Sequence, residues 1–329
     1  MTWILTIGIA AAVAAVLYFI IGEFFYHMAI DAHSEKWFLN PPKKKKQKTI
    51  DGADSYSAMK NNDRETYERD LDTAFFDTHE PQIAETVSID EKHFALKGYY
   101  FPAAVPSDKW LLFFHGYASS ILWSRRWIRT MSEQGYHVLA PDMRGHGMSE
   151  GHYIGMGWDE RLDVFSWLDW IQKQDASARV LVSGVSMGGA TVLCAAGEKL
   201  PDAVKCLIAD CGYTSVRDIL SYQLHALFHL PDFPFLYAAR AAIRRHAGYD
   251  IFHASALEQL KKAEKPILMI HGEADKFVPF FMLQRVYDAA ASKEKEMLAI
   301  PGAGHGTACC TEPDLYWEHY LAFANRYIK

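Results

Sequence analysis

A serine sits at the centre of Gly184-Val185-Ser186-Met187-Gly188-Gly189. A strand-like run, Val180 to Ser183, precedes it and a helical pattern starts at Met187. Gly184 and Gly188, two positions either side of the serine, permit a sharp strand-to-helix turn. Such an elbow holds the hydroxyl exposed in a strained conformation, which suits a nucleophile for acyl transfer. A plain Gly-rich turn has the same composition, so the remaining chemistry must be found elsewhere in the chain. The nucleophile needs a base, an acid to orient that base, and two N–H donors for the tetrahedral oxyanion. His271-Gly272-Glu273-Ala274-Asp275 and Gly302-Ala303-Gly304-His305-Gly306 each follow an apolar run. They give the chain order Ser, Asp, His. His305 would take the Ser186 proton and return it to the leaving group; Asp275 would fix the imidazole tautomer. Glu273 and Asp210 compete for the acid's role, and Asp275 is preferred because it lies past the tight turn. For the oxyanion, Met187 directly after the serine supplies one N–H. Tyr117, in His115-Gly116-Tyr117, supplies the other, and His115 packs beneath that loop.

These loops need a scaffold that brings strand ends together. Eight strand-like runs are legible: Thr86 to Ile89, Phe94 to Phe101, Trp110 to Phe114, His137 to Ala140, Val180 to Ser183, Cys206 to Ala209, Ile267 to Ile270 and Met297 to Ile300. The first two read as an antiparallel pair. The others are short apolar runs bounded by Gly, Pro or Asp, as strands covered on both faces are. Helical patterns such as Asp159 to Gln172 and Met187 to Lys199 alternate with them, so the expectation is an α/β fold with a mostly parallel eight-stranded sheet flanked by helices. Between Ala209 and Ile267 the rhythm breaks. An aromatic, helical insertion, about 212–260, is interrupted by Pro231 and Pro234 and reads as a lid.

With Pro141-Asp142-Met143-Arg144-Gly145-His146-Gly147-Met148-Ser149 added, the four motifs resemble the α/β-hydrolase superfamily. They resemble in particular its monoacylglycerol lipase, lysophospholipase and serine-aminopeptidase-like members. The likeness covers about Thr86 to Lys329. It implies the α/β-hydrolase fold and a Ser186–His305–Asp275 triad, and makes Arg144 to Ser149 a structural loop near the site. It does not settle the substrate. An ester with an apolar acyl group, such as a lysophospholipid or monoacylglycerol, is the first expectation. A serine aminopeptidase needs lid acids to pair with a free amine; Asp218, Asp232 and Asp250 are there, but Arg217, Arg240, Arg244 and Arg245 outnumber them. A binding module on a hydrolase fold is the third reading.

The 329 residues are half hydrophobic and 22% charged, with a formal net charge of −6, which argues against a nucleic-acid partner. No Gly-rich phosphate loop is present and the chemistry needs no cofactor. His225 and His229, four apart, could hold a metal, but the following Glu of a metalloprotease is missing, and two half-buried lid histidines are the simpler expectation. Five cysteines at no framework spacing read as reduced thiols; Cys309 and Cys310 are adjacent, and inert burial is expected rather than a redox role. At the N-terminus, Trp3 to Ile21 is uncharged and apolar, with Trp3 on one side and Phe24, Phe25 and Tyr26 on the other as an interfacial belt. No basic residue precedes it and its alanines lie inside the apolar core, so an uncleaved single-pass anchor is expected rather than a signal peptide. Lys36 and the run Lys43 to Lys46 with Lys48 follow the span, which places the catalytic domain in the cytoplasm. The expected division is a transmembrane anchor over 1–31, a polar and basic linker over 32–82, with one short helix near Arg64 to Phe75, and a hydrolase domain over 83–329.

Overall fold

The computed structural model describes residues 2–36, 38–39 and 63–329; the basic run from Lys43 lies outside them. Helix α1, Thr2–Ala29, comes first, then α2, Asp63–Thr78, and the antiparallel strands β1, Gln82–Val87, and β2, Ala95–Phe101. Strand β3, Lys109–Phe114, α3, Arg125–Glu133, β4, His137–Pro141, and α4, Glu160–Gln174, follow. Next are β5, Arg179–Val185, α5, Met187–Ala195, and β6, Val204–Asp210. The lid is α6, Val216–Phe228, α7, Asp232–His246, and the short α8, Ala256–Leu260. The chain ends with β7, Ile267–Gly272, α9, Phe281–Ala289, β8, Lys295–Ile300, α10, Ala308–Thr311, and α11, Pro313–Tyr327.

The sheet has eight strands in the order β1-β2-β4-β3-β5-β6-β7-β8. Strand β2 is antiparallel to both β1 and β4, and every other pairing is parallel. This is the mostly parallel α/β-hydrolase sheet expected. Strand β3 shows why such runs are apolar throughout: Trp110, Leu112 and Phe114 enter the core on one face, Leu111 and Phe113 the core on the other. Strand β1 starts and ends earlier than the Thr86–Ile89 expectation. Ser88 ends it, because its hydroxyl donates to Asp90 and accepts from the Phe94 N–H, closing the turn into β2.

Two segments carry more structure than their composition suggested. In α2, Glu65, Glu68 and Asp72 pair with the buried Arg126 and Arg129 of α3; Asp72 alone meets Arg126 Nε at 2.8 Å and Arg129 Nε at 2.7 Å. The acidic stretch is therefore a docked helix inside the segment expected as linker. Helix α1 is long and apolar enough to cross a membrane, but only Trp3 to Ile20 is exposed throughout. From Ile21 onward it is built into the hydrolase body. A Cβ on Gly22 would lie 2.5 Å from the Ala238 carbonyl oxygen of α7, so only glycine allows this approach. The expected interfacial belt is corrected in part: Trp3 and Phe24 are exposed, but Phe25 and Tyr26 are buried in the body. Beyond the helix, Ile30 O accepts from the Ile154 N–H at 2.7 Å and Ala32 N donates to His152 O at 3.2 Å.

The Arg144–Ser149 loop is fixed by charge. Arg144 is fully buried, bonded twice to Asp163 at 2.7 and 2.6 Å and once to Asp90 at 2.6 Å. Removing one partner of a buried pair strands the other. Arg144→Met should therefore cost about 3–5 kcal/mol, read as a fall of about 4–10 °C in Tm by differential scanning fluorimetry. A change below about 2 °C would show the pairing to be unimportant.

Candidate active site

Strand β5 runs into α5 through Ser186, whose φ of 58° and ψ of −115° are the strained conformation an elbow requires. Its neighbours explain the composition. A Cβ on Gly188 would fall on the Phe114 carbonyl oxygen, and one on Gly184 would lie 2.5 Å from the Gly188 backbone. The Ser186 N–H donates to Asp210 O at 2.8 Å, which pins the elbow to the end of β6. Ser186 remains 8% exposed, at the floor of a cavity.

The loops after β7 and β8 bring the other two residues to it. His305 Nε2 lies 2.8 Å from Ser186 Oγ, and His305 Nδ1 lies 2.8 Å from Asp275 Oδ2. Asp275 Oδ1 accepts the Phe277 and Val278 N–H groups, each at 2.9 Å. His271 Nε2 donates to Val278 O at 2.9 Å and lies 3.2 Å from Asp275 Oδ2. Burial works to raise the Asp275 pKa, but the His305 charge and hydrogen bonds from His271 and His305 outweigh it and hold the carboxyl well below its usual range. For His305, burial favours the neutral ring, yet Asp275 and Asp210 together raise its pKa above the ordinary value.

The competing acids are placed differently. Glu273 is exposed. Asp210 is fully buried, accepts from Tyr316 Oη at 3.0 Å, and is pushed up to about 6, chiefly by burial. It makes no bond to His305 among those described and acts on that ring only through its charge.

Met187 opens α5, where helix geometry leaves backbone N–H groups without intrahelical acceptors. The loop bearing Tyr117 runs beside the serine: a Cβ on Gly116 would sit 3.5 Å from Ser186 Cβ. Two neutral histidines hold that loop. His115 Nδ1 donates to Gly116 O at 2.8 Å, while its Nε2 accepts the Met143 N–H at 3.1 Å. His146 Nε2 accepts the Ala118 N–H at 3.1 Å. Burial pushes their pKa values down to about 3 and about 4, so both rings stay uncharged. The role of His146 was missed from the sequence alone, although its loop had been placed near the site. Tyr117 itself donates through Oη to Ala29 O of α1 at 2.8 Å.

The cavity above Ser186 encloses about 840 Å³, its open mouth included. Its walls come from α1, through Phe25, Met28 and Ala29, and from α6 and α7 of the lid. No charged side chain lines it among the described residues. Lid residues Asp218, Asp232 and Asp250 are engaged elsewhere, with Thr214, Ser221 and Arg240 respectively. His225 approaches Asp232 at 3.5 Å, and His229 ends α6 in the left-handed region. The described group with metal-ligand spacing is Cys211, Asp275 and His305, which belongs to the site itself. The Cys309 and Cys310 sulfurs are separate thiols 3.5 Å apart, and the contact with Cys310, then burial, push the Cys309 thiol up.

Sheet, elbow and the Ser-His-Asp arrangement define an α/β-hydrolase. The chain belongs to the prolyl oligopeptidase family, whose model matches residues 123–329. It is 30% identical over 195 residues to the uncharacterized protein YqkD of Bacillus subtilis, covering 59% of this chain and 63% of that one. It is 28% identical over 194 residues to the lysophosphatidylserine lipase ABHD12 of Danio rerio, covering 56% and 48%. The matched part thus spans from about half to under two thirds of these relatives' length. Among solved structures, the Pyrococcus furiosus esterase Pf2001 superposes with a TM-score of 0.62 at 22% identity, over 77% of this chain and 94% of that one. A Pyrococcus horikoshii acylaminoacyl peptidase gives 0.55 at 19% identity, over 76% and 42%. At those identities the likeness is one of fold.

Proposed function

We propose that the protein is a serine carboxylic-ester hydrolase that forms an acyl-enzyme on Ser186. The observation that carries this is the hydrogen-bond chain Ser186–His305–Asp275 at the floor of an uncharged cavity. His305 takes the Ser186 proton as Oγ attacks the ester carbonyl, and the N–H groups of Met187 and Tyr117 receive the oxyanion. His305 then protonates the leaving alcohol. Water, deprotonated by the same ring, releases the acid. Labelling by a fluorophosphonate probe tests the nucleophile: it should vanish in Ser186→Ala, and persistent labelling of that variant would overturn the assignment.

The acyl group we propose is apolar, because no charged side chain lines the cavity among the described residues and its wall is mostly hydrocarbon, with Ser186, Gln223, Tyr117 and Tyr213 as the polar side chains. A lysophospholipid or monoacylglycerol has that chemistry, and the similarity to a lysophosphatidylserine lipase supports it. A peptidase is the second reading, favoured by the family match and the acylaminoacyl peptidase likeness. An aminopeptidase of this type needs a carboxylate for the free amine, and none lines the cavity among the described residues. Hydrolysis of p-nitrophenyl esters should therefore rise with acyl length, each buried CH2 adding up to about 0.8 kcal/mol, or about fourfold in kcat/KM. Strong turnover of aminoacyl-naphthylamides without ester hydrolysis would reverse this ranking.

The division into anchor, linker and hydrolase domain is proposed with two amendments: from Ile21 the anchor also belongs to the domain, and so does α2 within the linker. An uncleaved single-pass anchor fits this, since cleavage after about Ile30 would remove Phe25 from the cavity and Tyr26 from the core. The cations that follow the span support a cytoplasmic catalytic domain. The intact protein should sediment with membranes and resist protease added to intact cells. Release of a soluble C-terminal domain by that protease would reverse the orientation.

A further inference from the structure

Helix α1 has two parts with different surroundings, and the boundary between them is sharp. Trp3 to Ile20 is exposed. At about 1.5 Å per residue it covers about 27 Å, close to the roughly 30 Å of a bilayer's hydrocarbon layer. Gly22, two residues on, is already in backbone contact with Ala238 of α7. No spacer separates span from enzyme, so a membrane that accommodates the exposed part must meet α7 at its surface. Phe25 follows at about 8 Å beyond Ile20 along the helix, which is the depth of a headgroup layer. Phe25, Met28 and Ala29 are cavity wall.

The seam between α1 and the lid at that depth is filled by three aromatic rings. Phe25 lies edge-on to Phe228 of α6 at 5.7 Å and to Phe235 of α7 at 6.3 Å, and all three line the cavity. Rings can turn aside without unfolding a helix. Beside the seam stand exposed aromatics: Phe24 at 49% on α1, and Phe233 at 71% and Tyr237 at 37% on α7. Large apolar side chains left in water next to an apolar span suit the membrane interface. Three of the arginines beside this seat approach acids of their own. Arg240 and Arg244 approach Asp250, and Arg245 pairs with Glu23.

We propose that Phe24, Phe233 and Tyr237 seat the lid in the bilayer interface, and that a membrane-resident lipid ester enters laterally, its chain passing along α1 through the Phe25–Phe228–Phe235 seam to Ser186. This rests on Ser186 as the nucleophile and on α1 as an anchor. It narrows the substrate from any apolar ester to one drawn from the membrane, and it gives α1 a part in substrate delivery.

The full chain is reconstituted in phosphatidylcholine vesicles and given two substrates: monooleoylglycerol in the bilayer and water-soluble p-nitrophenyl butyrate. Failure of the wild type on both would count against the hydrolase reading, and is seen before any variant is made. The variant Phe233→Asp with Tyr237→Asp should lower monooleoylglycerol hydrolysis about tenfold or more and leave p-nitrophenyl butyrate hydrolysis within about twofold. Raising NaCl to about 0.5 M should leave the wild-type lipid rate unchanged, since the proposed seat is made by aromatic rings rather than by charge. Equal loss on both substrates, or no loss on either, overturns the proposal. A second measurement does not depend on those variants. In Ser186→Ala, a diazirine-tailed fatty acyl lipid in the vesicles should crosslink to peptides bearing Phe25, Phe228 or Phe235. Crosslinks confined to other walls of the cavity would place the entrance elsewhere.

Discussion

Ser186→Ala should lower kcat on p-nitrophenyl esters by about a million-fold while leaving the fold intact. The size follows from the way the three side chains act as a unit. His305 Nε2 lies 2.8 Å from Ser186 Oγ, so removing that oxygen leaves the base with nothing to activate but water. The N–H groups of Met187 and Tyr117, proposed as the oxyanion donors, would remain, and donors of that kind alone sustain about 10³–10⁴-fold catalysis over water. Stability should hardly change. Alanine keeps the φ of 58° that Ser186 adopts, which β-carbon strain disfavours equally for both residues. The backbone bond from Ser186 N to Asp210 O is likewise untouched. Steady-state kinetics with a melting curve on the same sample checks both halves. A variant that keeps more than about a hundredth of the activity would remove Ser186 from the chemistry.

The elbow was legible because its geometry leaves no alternative composition: Gly188 lies against the Phe114 carbonyl and Gly184 against Gly188 itself. The loops of Asp275 and His305 were legible because each follows an apolar strand run, and parallel strands end on one side of a sheet. What the sequence hid was pairing between distant segments. Glu65, Glu68 and Asp72 have the composition of a solvated linker until Arg126 and Arg129 are brought to them in space. Phe25 and Tyr26 suit a lipid interface and a protein core equally, so residue type cannot tell which will cover them. His146 carries no local mark of its role, since the Ala118 N–H it accepts comes from a loop 28 residues earlier.

Asp275→Asn should cost about 10⁴-fold in kcat/KM, and Asp210→Asn far less, within about tenfold. Asp275 uses its two oxygens for different work. Oδ1 accepts from the Phe277 and Val278 N–H groups, and Oδ2 from His305 Nδ1. Asparagine has a single oxygen, and two fixed backbone donors claim it. Its NH2 group then faces His305 Nδ1, which must become an acceptor. The ring proton moves to Nε2, and that nitrogen can no longer take the proton of Ser186. The Asp210 carboxylate makes no described hydrogen bond to the side chain of Ser186, His305 or Asp275; it accepts from Tyr316, and only its backbone carbonyl meets the Ser186 N–H. The pH profile separates the two further. Burial lowers the His305 pKa, but Asp275 and, to a lesser extent, Asp210 raise it above the ordinary value. The base must be neutral to act, so kcat/KM should rise with pH through this raised pKa. Removing the Asp275 charge leaves burial dominant, and the acid limb should move to lower pH even as the plateau collapses. Asp210→Asn should shift the limb the same way, by less, with the plateau nearly kept. A collapse in Asp210→Asn with little loss in Asp275→Asn would exchange their roles and make the buried aspartate at the end of β6 the partner of His305.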